Sequence, residues 1–186
     1  MSTLVRFGNA VGALAIVGTL LAAFVFQFAL HELPCPLCML QRVALALCGV
    51  GYVLNLRLGS QPMHYGLILL SALFGLAASG RHLALHILPG DKGFGSPVLG
   101  LHLYTWTLLF FLATIAGVAV LLLLQTSERA ERWIGHRPER HAAGTLSRLV
   151  CWLLILVVLG NAVASFVQCG PIECSDNPTS YWLLRR

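Results

Sequence analysis

Charge is what this chain has least of. Only 10% of its 186 residues are Asp, Glu, Lys or Arg, and Lys92 is the only lysine. A soluble domain carries roughly 25% charged residues, so the composition excludes an ordinary water-soluble globule. Internal repeats and low-complexity segments are also missing, which excludes a solenoid or a flexible tether. Acidic residues number 7 against 12 Lys and Arg, for a formal charge of +5. In so apolar a chain the arginine excess records membrane topology and gives no ground for nucleic-acid binding. A persuasive signal-peptide cleavage site is absent as well. The uncharged run from Phe7 to Leu30 is longer than a signal core and reads as a retained span.

What is present is hydrocarbon, at 58% of the residues. The pattern predicts an all-α membrane protein with five spans: Phe7–Leu30, a second from Pro36, Tyr65–Ile87, Leu103–Leu124 and Leu149–Phe166. The second span is too short if it begins after Arg42. Begun at Pro36, a residue suited to the first position of a helix, it is long enough to cross. The expected organisation is a bundle over 1–125, a basic connection over 126–148, a fifth helix over 149–168 and a tail over 169–186. Arg129, Arg132, Arg137, Arg140 and Arg148 lie on the side shared with Arg6 and Arg57. The positive-inside rule makes that side, and the N-terminus, cytoplasmic. Arg42, Arg81, Lys92, Arg185 and Arg186 fall on the other side, so the bias is modest. Cys35, Cys38, Cys169 and Cys174 then all face outward.

Six cysteines in such a chain need separate treatment. In HELPCPLCMLQR, Cys35 precedes Pro36 and is expected to cap the second helix, with Cys38 in its first turn. A helix N-terminus offers unpaired N–H groups and partial positive charge, both of which favour a thiolate. The spacing also lets the two sulfurs close into a disulfide and cycle. Arg42 continues down the same face, about 10 Å deeper than Cys35. A charged side chain inside a span marks a functional site unless it merely snorkels to the head groups. Cys35 is expected to be the exposed sulfur and Cys38 the one nearer the membrane interior. Cys169 and Cys174, in CGPIEC, form either a second exchanging pair or a staple that pins the tail. Cys48 and Cys151 are mid-span and read as inert packing. His82 and His86 share a face near the outer end of the third span. With Arg81, His102, Tyr104, Trp106 and Arg42 they could line a polar cavity suited to a quinone head group, though each alone also fits an interfacial residue.

PCPLCMLQR and GRHLALHILPG resemble the DsbB family of membrane thiol–disulfide oxidoreductases over roughly Val11 to Leu124. The resemblance implies a four-helix bundle, here with an added fifth C-terminal transmembrane helix, in a bacterial inner membrane. It implies that Cys35 and Cys38 are reoxidised by ubiquinone or menaquinone, with Arg42 and one of His82 or His86 at the quinone. It also implies a periplasmic DsbA-like thioredoxin-fold oxidase as partner. The family's second cysteine pair lies in the loop between the third and fourth spans. Here that loop, LPGDKGFGSPVLG, has no cysteine. Cys169 and Cys174 are expected to take over, making Cys35, Cys38, Cys169 and Cys174 the catalytic set with no resident metal. Two rival expectations remain open: a haem- or metal-binding electron-transfer module using His82, His86 and His102 or the cysteines, and a non-catalytic scaffold braced by disulfides.

Overall fold

The computed structural model describes residues 3–91, 93–132, 144–172, 174–175 and 178–184. Residues 133–143 of the basic connection, including Arg137 and Arg140, and also Lys92, Arg185 and Arg186, lie outside the described residues. Among the described residues five helices are long and apolar enough to cross a membrane: α1 (Thr3–Ala29), α2 (Pro36–Leu58), α3 (Pro62–Leu85), α4 (Leu103–Arg132) and α5 (Thr145–Cys169). The shortest has 23 residues, about 35 Å at the usual rise, against about 30 Å of hydrocarbon. All-helical architecture is what a bilayer demands, because no water is there to satisfy a broken backbone.

α2 begins at Pro36 with Cys35 as its cap, as the sequence predicts. Several boundaries differ from expectation. α3 starts at Pro62 and ends at Leu85, leaving His86 beyond the helix with φ −118° and ψ 20°. α4 runs past its apolar stretch to Arg132. α5 extends to Cys169, so the first tail cysteine is the last residue of a helix. Gly170 then turns the chain at φ 65°, and a short 3-10 turn, Trp182–Leu184, folds back onto α5. A side chain at Gly170 would strike the Trp182 ring.

α1, α2, α3 and α4 are packed in succession, and α5 rests against α1 and α2. Without a hydrophobic effect between helices in lipid, close approach and hydrogen bonds must hold them. Gly12 receives the Tyr52 ring, Gly51 the Ile68 side chain, Gly75 the Phe111 ring and Gly49 the Leu154 side chain. Away from the cysteines, a buried polar network ties α1 to α4. Asn9 Nδ2 donates to Tyr65 Oη at 2.9 Å, and Asn55 Nδ2 to Asn9 Oδ1 at 2.9 Å. His64 Nδ1 lies 3.0 Å from Asn55 Oδ1, and Gln125 Nε2 donates to Ser60 O at 2.8 Å. α1 and α4 meet near that end, where Gly8 abuts Leu121. Towards the cysteines they part.

Candidate redox site

The parting of α1 and α4 leaves a cavity of about 530 Å³ beneath the cysteine pair. Small residues of α1, including Ala15, Gly18 and Ala22, form one wall, and Tyr104, Trp106 and Phe110 of α4 face them. Cys38, Gln41 and Arg42 of α2, His82 of α3 and Glu32 from the preceding loop supply the polar part of the lining.

Cys35 sits at the N-cap, where its Sγ accepts from the Cys38 N–H at 3.2 Å. The two Sγ atoms are 2.7 Å apart, within reach of a disulfide with little movement. His82 brings both ring nitrogens within 4.0 Å of Cys35 Sγ. The Cys35 thiol is thereby lowered from its ordinary 9.0 to about 5. The Cys38 thiol, hydrogen-bonded to it, is the main cause. His82 and the Cys38 N–H add to the effect, while burial opposes it.

Cys35 is not the exposed sulfur that the sequence predicts, whereas Cys38 does face the cavity within the bundle. Cys35 is only 5% exposed, while Cys38 is half-buried and lines the cavity. His82 lies against the Cys35 sulfur, and Gln168 of α5 donates its Nε2 to O of the neighbouring Pro34 at 2.7 Å. Helix geometry alone places the cap outermost, but the neighbouring elements cover it.

Arg42 lies on the predicted face and reaches across the bundle. Its Nη1 donates to Gln27 Oε1 at 2.8 Å and to Asn161 Oδ1 at 3.2 Å, and its Nη2 to Ala23 O at 3.2 Å. His86 takes a different course from His82. Its Nδ1 is 3.2 Å from Asp91 Oδ2, and it does not line the cavity. The Asp91 carboxyl is held below its usual range by the Gly93 N–H first and His86 second. His102 stacks on Tyr104, with centroids 5.3 Å apart, and packs against Gly93 rather than facing the cavity. Cys169 and Cys174 are joined in a disulfide, with Cα atoms 4.9 Å apart. Cys169 is buried and Cys174 half-buried. Cys48 is buried and Cys151 half-buried, both as free thiols.

Four polar residues of this region carry a signal that the sequence pattern underused: an amide or acid in or beside an apolar helix. These are Gln27, Glu32, Gln41 and Asn161. Gln41 is 5% exposed, and its Nε2 has no hydrogen-bond partner among the described residues. Glu32 Oε1 accepts from the Ser96 N–H at 2.9 Å, tying the loop between α3 and α4 over the cavity.

The family model for disulfide bond formation protein DsbB matches residues 5–96, which take in Cys35, Cys38, Arg42, His82 and His86. Disulfide bond formation protein B of Pseudomonas syringae pv. tomato is 41% identical over 83 residues, covering 42% of this chain and 47% of the relative. Disulfide bond formation protein B 1 of Pseudomonas savastanoi pv. phaseolicola is 32% identical over 144 residues, covering 59% of this chain and 83% of the relative. The protein B of Xylella fastidiosa is 32% identical over 94 residues, covering 47% of this chain and 54% of the relative. The chain thus spans about half the length of the first and third of these relatives and most of the second. No solved structure matches the chain. With an all-helical membrane architecture and the cysteine pair at the head of α2, the chain belongs to the DsbB family of membrane disulfide bond formation proteins.

Proposed function

We propose that this protein is a quinone-dependent thiol–disulfide oxidoreductase of a bacterial inner membrane, which reoxidises a periplasmic thioredoxin-fold thiol oxidase. The observation that carries the proposal is the cavity, which joins a redox-ready cysteine pair, a half-buried cation and an unpaired amide donor to apolar walls. A quinone head group suits these residues because its carbonyl oxygens accept hydrogen bonds, and Gln41 Nε2 is buried with a bond unmade. Gln41, Arg42 and His82 would hold such a group, with Tyr104, Trp106 and Phe110 against its ring and tail. A quinone would supply a two-electron acceptor that lipid carries away.

The remaining steps belong to the chain's own side chains. A thiolate of the reduced partner attacks the more exposed Cys174, forming a mixed disulfide and releasing Cys169 as thiolate. The partner's second thiol resolves that bond and leaves oxidised, and Cys169 and Cys174 are left as dithiol. Exchange with the Cys35–Cys38 disulfide restores the tail bond and transfers both electrons to the inner pair. Cys38, which lines the cavity, then faces the acceptor, with Arg42 stabilising negative charge as it develops there. The arginine bias of the sequence supports placing both pairs on the periplasmic side.

The test is reduction of a soluble quinone analogue by the purified full chain, supplied with a reduced thioredoxin-fold oxidase. The parent protein should turn over. Cys174→Ala should lose turnover from the partner by at least about tenfold while a small dithiol still drives quinone reduction. No quinone reduction by the parent would refute the function. Full partner turnover in Cys174→Ala would leave the tail bond as a staple.

A further inference from the structure

No carboxylate among the described residues pairs with Arg42. Its three acceptors are two side-chain amide oxygens and a backbone carbonyl. Arg42 is half-buried within a span, and a cation drawn out of water ordinarily sits against an anion, because losing its hydration is costly without one. Neutral acceptors orient a guanidinium without cancelling its charge. The titratable groups around Arg42 and the pair are Cys35 and Cys38 themselves, His82 of α3, Tyr181 of the tail and Glu32 of the cavity lining. One of these acceptors, Asn161, comes from α5, outside the residues matched by the family model. It is 7% exposed, and its own Nδ2 is fixed on Val157 O at 2.9 Å, which leaves Oδ1 facing Arg42.

Asn161 is not isolated. Ser165 and Gln168 follow at helical spacing, so the three share one polar stripe on an apolar helix. Ser165 Oγ donates to Met39 Sδ at 3.1 Å and Gln168 Nε2 to Pro34 O at 2.7 Å. The stripe therefore holds the start of α2 at three successive heights: before Cys35, just after Cys38, and at Arg42.

We propose that Asn161 is a positioning residue of the redox site, supplied by the fifth helix, which holds Arg42 beside the cavity as an uncompensated cation and so favours ionisation of the Cys35–Cys38 pair. This inference rests on reading that pair as the thiol–disulfide centre. It makes α5 a part of the centre, and it makes the neutrality of residue 161 as important as its hydrogen bond.

The experiment compares Asn161→Asp with Asn161→Leu in the purified full chain. The pair is reduced and alkylated with iodoacetamide across a pH series, with the modified cysteine located by mass spectrometry. Asn161→Asp keeps the acceptor but neutralises the guanidinium, so the pH midpoint of the pair should rise by about one unit, read as a roughly tenfold loss of ionised thiol at a fixed pH well below the midpoint. Asn161→Leu removes the acceptor without adding charge and should raise the midpoint by less. Unchanged midpoints in both variants overturn the proposal. So does a larger rise in Asn161→Leu than in Asn161→Asp, the pattern expected if the residue only packs. If the aspartate variant does not fold, the leucine variant decides alone: a raised midpoint supports the proposal and an unchanged one overturns it. Alkylation needs neither quinone nor partner, so a parent protein that fails to reduce quinone refutes the function proposed above through a separate readout.

Discussion

Cys38→Ala removes the largest of the influences on Cys35, the hydrogen bond from the neighbouring thiol. In the parent the reduced Cys35 titrates at about 5 against an ordinary 9.0. A depressed thiol stabilises the folded, reduced protein fully above pH 9.0. That contribution shrinks as pH falls and is gone below about 5. At pH 7 about half of the shift is realised, on the order of a few kcal/mol. For a two-electron couple this corresponds to roughly tens of millivolts, in the direction of a more oxidising disulfide. The assay is the pH dependence of Cys35 alkylation in the reduced protein. The midpoint must be read rather than the rate, because a thiolate of lower pKa is also a weaker nucleophile. Cys38→Ala should move the midpoint from about 5 back towards 9.0. Cys38→Ser keeps a donor at that place and should move it much less. A midpoint still near 5 in Cys38→Ala would show that His82 or the helix end dominates. A parent midpoint near 9.0 would refute the whole account of the pair.

Two further outcomes follow from geometry. Gln41→Leu removes a buried donor that has no partner among the described residues, so it should leave the melting temperature unchanged or raise it. The same variant should raise KM for a quinone analogue by about tenfold with kcat less affected. Gly75→Ala drives a methyl group into the buried Phe111 ring between α3 and α4 and should cost about 1–3 kcal/mol, read as a lower midpoint of thermal unfolding in detergent.

The redox pair was legible because its signals are local. Pro36 fixes where α2 starts, and from there the cap at Cys35 and the shared face of Cys38 and Arg42 follow by counting. Span number was legible because lipid leaves helices few alternatives. Choosing between His82 and His86 was not a local matter. Equal spacing treats them alike, but α3 stops at Leu85, and His86 bonds to Asp91 while its ring stays beside His82 and Tyr104, and only His82 lies buried against Cys35. The burial of Cys35 brings in His82, far along the chain, and no pattern around Cys35 announces it. The amides Gln27, Gln41 and Asn161 were visible as polar interruptions of apolar helices. Their meeting at one arginine depends on how three helices rotate, which a single chain's periodicity does not specify.

The separation of α1 from α4 has a consequence for supply. Ala15 and Gly18, at the edge of that gap, are exposed on the flank of the bundle rather than at its end. A ligand arriving by that flank never leaves the hydrocarbon and searches a plane instead of a volume. Its effective concentration is then a mole fraction of the lipid. Saturation of the cavity would follow the composition of the membrane, and diluting the aqueous phase would not change it.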